Sequence, residues 1–237
     1  DLLKWLERDK KRVINNSRAL ELEISKIEQY KELEKFNIKF PKTLSTKNKN
    51  ELIERSKEFN KPFITKHNRG GRGLGVKYFE NSKELEKYAT SQDFEDSIDS
   101  ITLLQEYIAS KEKIITRVEF VKGKFLYAVQ VDTSEGFQLC PADACNVEEK
   151  FCPANPDGNK FMILKDYENS EIKKYEKLLK ENGIEVAGIE YIKDQNGTHY
   201  TYDINTNTNY NSIAERKIKD KGMDAIAKFL NDELKLN

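Results

Sequence analysis

The 237-residue chain contains no run of eighteen apolar residues, and its start, DLLKWLERDKK, has neither the apolar stretch nor the cleavage site of a signal peptide. A transmembrane helix and a secretory leader are therefore not expected, and the sequence reads as cytoplasmic with no membrane partner. Cysteine is scarce. Cys140, Cys145 and Cys152 are an odd number in a chain large enough to fold without bridges, so free thiols are expected. An excess of either charge is also lacking: 41 basic and 41 acidic residues cancel, which gives no reason to expect a nucleic-acid partner. There is no internal repeat or low-complexity tract, and no initiator methionine, so the chain reads as a piece of something longer.

What is present is a globular composition, 37% hydrophobic and 35% charged. At roughly 100–200 residues per domain, the length allows one large domain or two small lobes. Leu20, Ile24, Ile27, Tyr30, Leu33 and Phe36 recur every three or four positions, predicting one amphipathic helix over 17–36, and a shorter helix is expected at 49–59. A strand at 62–66 enters the glycine-rich loop 68–75 and another leaves it at 76–79. A helix at 82–90 and strands near 101–108, 114–121 and 124–132 follow, the last two joined at Lys122-Gly123 as a hairpin. Residues 133–168 show little periodicity and read as a long functional loop region. Ile172, Tyr175, Leu178 and Leu179 predict a helix ended by Asn182-Gly183, followed by two strands around Asn196-Gly197 and a last helix at 219–234. Helices mixed with mostly antiparallel strands indicate α+β.

The strands around Asn196-Gly197 carry the most chemistry. A two-residue type I′ turn there would pair 194 with 199 and Glu190 with Asp203. Side chains alternate along a strand, so Thr201, Asp203 and Asn205 would share one face while Tyr202 and Ile204 take the apolar one. Facing carboxylates with Cβ atoms about 5 Å apart repel unless a cation or proton lies between them. Three oxygen ligands on one strand pair suit Mg²⁺, which completes its shell with water and phosphate. On spacing alone, a solvated strand face with scattered acids is the alternative. By the same reasoning, replacing one acid would abolish metal-dependent turnover yet leave the metal-free fold as stable or more so.

The loop His67-Asn68-Arg69-Gly70-Gly71-Arg72-Gly73-Leu74-Gly75 is not a Walker loop, because no Gly-Lys-Ser/Thr ends it and a strand follows. Its glycines would let backbone N–H groups approach phosphate oxygens, with Lys66, Arg69 and Arg72 adding positive charge. A flexible basic hairpin loop is the plain alternative. His67 and His199 stand far apart without ligand spacing and read as ordinary polar residues.

In order, INNSRALELEISK, FNIKFPKT, PFITKHNRGGRGLGV, LLQEYI, ITRVEFVKGKFLYAV and GIEVAGIEYIKDQNGTHYTYDINTNTN resemble the ATP-grasp superfamily, in its carboxylate–amine ligase branch that includes the α-L-glutamate ligases. The resemblance runs from about Arg12 to Leu234. It implies an ATP-grasp fold of two α+β lobes with ATP between them. Residues 1–16 would be the remnant of a preceding domain, 17–109 a small lobe bearing the flap, and 110–237 a large lobe with the metal hairpin. Lys26 and Lys66 would hold the ATP phosphates beneath a flap that includes Gly70, Gly71, Arg72 and Gly73. Gln105, Glu106, Tyr107 and Ile108 would line the adenine pocket, and Arg117 would join Lys66 at the transferred phosphate. Glu190, Asp203 and Asn205 would bind magnesium, with manganese as a substitute, and Asn207 and Asp143 would face the acceptor.

The sequence departs from that branch in places. Thr116 precedes Arg117 where Asp is frequent, leaving Glu112 as the substitute ribose contact, and Asp203 stands where Glu is usual. Thr208-Asn209-Tyr210-Asn211 replaces the usual Pro-Gly. In CPADACNVEEKFCP three cysteines without a nearby His make an incomplete zinc set, so thiols or pocket lining are expected. The implied activity joins a small-molecule or peptide carboxylate to an amine, consuming ATP through an acyl phosphate. A phosphotransferase on the same ATP site and a nucleotide-binding module without turnover are the rivals. The sequence leaves the substrates and the oligomeric state open.

Overall fold

The computed structural model describes residues 1–71, 75–110, 112–133, 161–164 and 167–236. Two antiparallel sheets carry the fold, each with its own hydrophobic core. The smaller has the order β1-β4-β2-β3, from β1 (Thr43–Thr46), β2 (Phe63–His67), β3 (Lys77–Phe79) and β4 (Thr102–Glu106). Helices α4 (Lys49–Ser56) and α5 (Ser82–Thr90) cover one face of it, enclosing Leu52, Phe63, Phe79, Leu85 and Leu104.

The larger sheet has the order β7-β6-β5-β8-β9: β5 (Ile114–Val121), β6 (Lys124–Asp132), β7 (Phe161–Leu164), β8 (Val186–Lys193) and β9 (His199–Asn205). Its core face packs Val118, Phe120, Ala128, Ile189, Tyr191 and Ile204 against α2 (Ser17–Glu23), α3 (Lys26–Lys35) and α6 (Ile172–Glu181). The chain between Ser17 and Ile38 thus shares the core of strands that come much later in sequence. Helix α1 (Leu2–Arg8) precedes it, and a 3₁₀ turn (Ala214–Lys217) and α7 (Gly222–Leu236) follow β9. No helix among the described residues is long and apolar enough to cross a membrane.

The abundant asparagines have local work. The side chains of Asn16, Asn48 and Asn81 accept from backbone N–H groups in the first turns of α2, α4 and α5, satisfying donors that a helix start leaves open. The Lys122-Gly123 turn has positive φ at both residues, 55° and 65°, as a type I′ hairpin requires. Helix α6 ends where expected, with Gly183 at φ +63°.

Two expectations are corrected. The periodic stretch 17–36 is two helices, because Ser25 leaves helical geometry and its hydroxyl accepts from Glu28 N, starting α3 afresh. That break turns Leu20 and Ile24 outward while Ala19 and Leu22 enter the core. Within 133–168, the described residues 161–164 form β7, zipped to β6 through Val129 and Val131. Cys140, Cys145 and Cys152 lie outside the described residues.

Candidate active site

The second face of the larger sheet lines a cavity of about 720 Å³, together with the 3₁₀ turn and residues of the smaller sheet. Strand alternation decides which side chains enter. On β5, Thr116, Val118 and Phe120 are on the core side, so Ile115, Arg117 and Glu119 line the cavity. Thr116 therefore turns away from the site. On β8, Glu190 and Ile192 face the cavity while Ile189 and Tyr191 are core.

Pairing then aligns the charged residues. Arg117 stands opposite Glu190, and Glu190 opposite Asp203, giving one row across β5, β8 and β9. The next row is Glu119, Gly188, Asn205. Gly188 has to be glycine there: a Cβ would lie 2.5 Å from Nε and Nη2 of Arg117, whose guanidinium fills the space a side chain would take. Arg117 Nε donates to Glu119 at 2.6 Å and Nη1 to Glu190 at 2.9 Å. The sequence reasoning did not single out Gly188, although a glycine inside the strand VAGIEYI marks close approach of another group.

The turn joining β8 to β9 is not the expected two-residue type. Asp194 N donates to Thr198 O and Gly197 N to Asp194 O, so three residues, 195–197, form the loop, with Gly197 at φ +80°. Lys193 consequently pairs with His199. One such slip would turn Glu190 away from Asp203, but an irregularity opposite Glu190 and Tyr191 inserts Tyr202 as an extra residue and restores the pairing. Thr201 is the casualty of the original expectation. It is buried on the core side, hydrogen-bonded to Tyr175 at 2.7 Å, while the Tyr202 phenol lies on the cavity side beside Glu190.

The acids already have cation partners. Lys26, the first residue of α3, donates to Asp203 at 2.6 Å, and Arg117 holds Glu190. Burial works against ionisation of Asp203, yet Lys26, Lys66 and Arg117 outweigh it and keep its carboxyl below the usual range. Glu190 moves the other way: burial and then repulsion from Asp203 overcome Arg117 and raise it. Lys66 comes from β2 of the other sheet. Its ammonium donates to the Tyr30 hydroxyl at 2.5 Å, and burial, helped by Lys26, presses its pKa down to about 7. Tyr30, one turn after Lys26, also accepts from Gln105 at 2.8 Å and donates to Tyr202 O at 3.2 Å, so it ties the two sheets together. It too was not singled out in sequence, although its i+4 spacing from Lys26 puts both on one helix face.

The remaining candidates are placed unequally. Gly70, Gly71, Gln105, Glu106, Tyr107, Ile108, Asn205 and Asn207 all line the cavity. Gln105 is committed to Tyr30 and Thr43. Glu112 is exposed and outside the cavity lining, where Lys113 stands instead. Arg72, Gly73 and Asp143 lie outside the described residues. Of the two histidines, His199 stacks on Tyr191 with centroids 4.5 Å apart, while His67 sits against Glu95 O and also lines the cavity.

Among the described residues no three His, Cys, Asp or Glu side chains converge as a metal set. Two carboxylates and the Asn205 amide are what the site offers, with Asn205 Nδ2 3.5 Å from Glu190. That donor set fits Mg²⁺, which needs only one or two protein carboxylates when phosphates and water supply the rest.

A sequence model of the RimK-like ATP-grasp domain matches residues 24–150, more than half of the chain. The chain belongs to the RimK-like ATP-grasp family. Its fold agrees: a Chryseobacterium gregarium RiPP-associated ATP-grasp ligase, in complex with ADP and a leader and core peptide, superposes with a TM-score of 0.67 at 18% identity, covering 98% of this chain and 66% of that one. The ATP-grasp ligase PsnB complexed with minimal precursor gives 0.64 at 16% identity, over 95% and 66%. A RimK domain ATP-grasp protein from Sphaerobacter thermophilus gives 0.63 at 15% identity, over 96% and 74%. This member of the RimK-like ATP-grasp family spans about two thirds of the length of the first two of those structures. A comparison with curated proteins gives no match. The α+β reading and the ATP-grasp resemblance both hold.

Proposed function

We propose that this ATP-grasp chain is an ATP-dependent carbon–nitrogen ligase that joins a carboxylate to an amine through an acyl phosphate. The observation that carries the reading is the meeting of Lys26 from α3 and Lys66 from β2 with the row Arg117, Glu190, Asp203 from three strands of the other sheet. Cations from separate elements around a buried acid pair suit a polyphosphate with its metal.

In this reading the substrate carboxylate oxygen attacks the γ-phosphorus of ATP and the β–γ bridging oxygen leaves with ADP. The amine nitrogen then attacks the acyl carbon, phosphate departs, and the amine proton is lost. Lys26 and Lys66 bind and orient the phosphates, and Arg117 neutralises charge on the transferring group; all three are in place beforehand, so little reorganisation is needed. Glu190, Asp203 and Asn205 would hold magnesium, which supplies charge neutralisation on the phosphate oxygens. Gly70 and Gly71 border the cavity where a flap would exclude water from the acyl phosphate. Gln105–Ile108, at the end of β4 and just beyond it, line the part assigned to the base. Amino acids and peptides are the proposed substrate class, as the neighbouring ligase binds a leader and core peptide.

The test is a reaction of the chain with Mg-ATP, L-glutamate and a cell metabolite extract, followed by mass spectrometry. ADP released in step with a product equal to carboxylate plus amine less water supports the ligase. A phosphorylated product without a new amide makes it a phosphotransferase, and nucleotide binding without ADP release makes it a binding module.

A further inference from the structure

At the end of the cavity beyond Arg117 lies a second acid pair that the phosphate site leaves unused. Glu119 is 2% exposed, and while its Oε1 accepts from Arg117, its Oε2 is buried with no hydrogen-bond partner among the described residues. Tyr127 stands opposite it on β6 and donates at 2.7 Å to Glu215 of the 3₁₀ turn, itself 5% exposed. Tyr210 completes this corner of the lining. Glu119 and Glu190 share the one guanidinium of Arg117, and Glu215, which accepts from Tyr127 and Gly222 N, adds a third negative charge near Glu119. A bare carboxylate oxygen in a dry place costs free energy until a donor reaches it.

We infer that Glu119, with Glu215 beside it, is the subsite that selects the acceptor substrate as a primary ammonium group, received by Oε2 of Glu119. This deepens the ligase reading and rests on it for the word acceptor. The position suits the task, because Glu119 shares Arg117 with Glu190 and so adjoins the place where the transferred phosphoryl group would sit. Once the held ammonium passes one proton to Oε2 of Glu119, its nitrogen gains the lone pair with which it attacks the adjoining acyl carbon, and phosphate leaves. Burial, before any other cause, raises the Glu119 carboxyl, and a bound cation would reverse that. The sequence signal is the period-two pair Arg117-Val118-Glu119, which puts both charges on one strand face.

The subsite is tested with two probes of equal shape, n-propylammonium chloride and 1-propanol, titrated by NMR into the full chain with Mg²⁺ and ADP present to fill the Glu190–Asp203 end. The expected result is that propylammonium shifts the amides of Glu119, Tyr127 and Gly188 and binds roughly tenfold or more tightly than the alcohol. Glu119→Gln should erase that preference and Glu119→Asp should retain part of it. Equal binding of the two probes, or a preference that survives in Glu119→Gln, overturns the inference. If Glu119→Gln loses its dispersed spectrum, the wild-type ratio of the two probes decides alone. Failure of ADP to bind would sink the ligase reading instead, and the ammonium series on the free chain would still decide the subsite.

Discussion

Lys66 is the residue whose environment makes the most direct solution prediction. Its folded pKa of about 7 lies below the ordinary 10.5, so between those values the unfolded chain binds more protons and stability rises with pH. Below pH 7 both states are protonated and the cost of burying the charge is fully present. A phosphate beside Lys66 reverses the depression. At pH 8 the free side chain is mostly neutral, and ATP binding should take up close to one proton, visible as a calorimetric enthalpy that changes with the ionisation heat of the buffer. Lys66→Met should abolish that uptake and weaken ATP binding by about 1.5–3 kcal/mol, the range for hydrogen bonds to charged groups. Proton uptake undiminished in the variant would remove Lys66 from the phosphate site. For Asp203 the tertiary structure reverses the sequence expectation. Facing acids alone would relax when one is neutralised, but Asp203 is bound to Lys26, and Asp203→Asn leaves that lysine with a poorer partner. The metal-free melting temperature should therefore fall, by the equivalent of roughly 1.5–3 kcal/mol, and the rise on adding Mg-ATP should vanish. A metal-free melt at or above the wild-type value would show that like-charge repulsion dominates after all.

At the scale of elements, the β8–β9 hairpin was legible in composition and misread in detail. Asn196-Gly197 marked the turn, but Asp194 accepts from Asn196 N and Thr198 N, which holds a three-residue loop in place of two. The pairing of Glu190 with Asp203 survives only because Tyr202 bulges, and no local rule places a bulge there. Strand β8 also carries the glycine on which the Arg117 geometry depends. Gly188→Ala puts a methyl within 2.5 Å of the guanidinium, so Arg117 must leave Glu119 or Glu190. Both contacts are buried, and a loss of about 1–3 kcal/mol in stability is expected, together with a far larger fall in ATP turnover than in ATP affinity. Gly188→Ala with unchanged turnover and an unchanged melt would mean that the strand moves aside at no cost.

For the whole molecule, two cores share strand β4, whose Leu104 lies in the smaller core and Leu103 in the larger, and Tyr30 adds polar contacts between the sheets. Leu85 belongs to the smaller core and is fully buried. Leu85→Ala should cost about 2–5 kcal/mol there, and hydrogen exchange should accelerate at β2 and β4 while β5 and β8 keep their protection. Mg-ATP should restore part of the protection, since a ligand held by Lys26, Lys66 and the β5–β9 row bridges both sheets. Equal acceleration in all strands would instead show one cooperative unit.

The sequence by itself determined the class and most of the elements, but not α1, β1, β7 or the break between α2 and α3. Periodicity of two and of 3.6 is a local property, so strands such as 114–121 and 124–132 and the helix at 82–90 stand where the pattern puts them. Motif order was equally local, and it carried the family. Tertiary structure alone decided that α2 and α3 join the core of the later sheet, that Tyr30 links Lys66 and Gln105 of the smaller sheet to Tyr202 of the larger, and that Glu119 is left with a buried oxygen that has no partner among the described residues. Those outcomes depend on which faces meet across the cavity, and burial and pairing between residues a hundred positions apart leave no periodic trace in the chain.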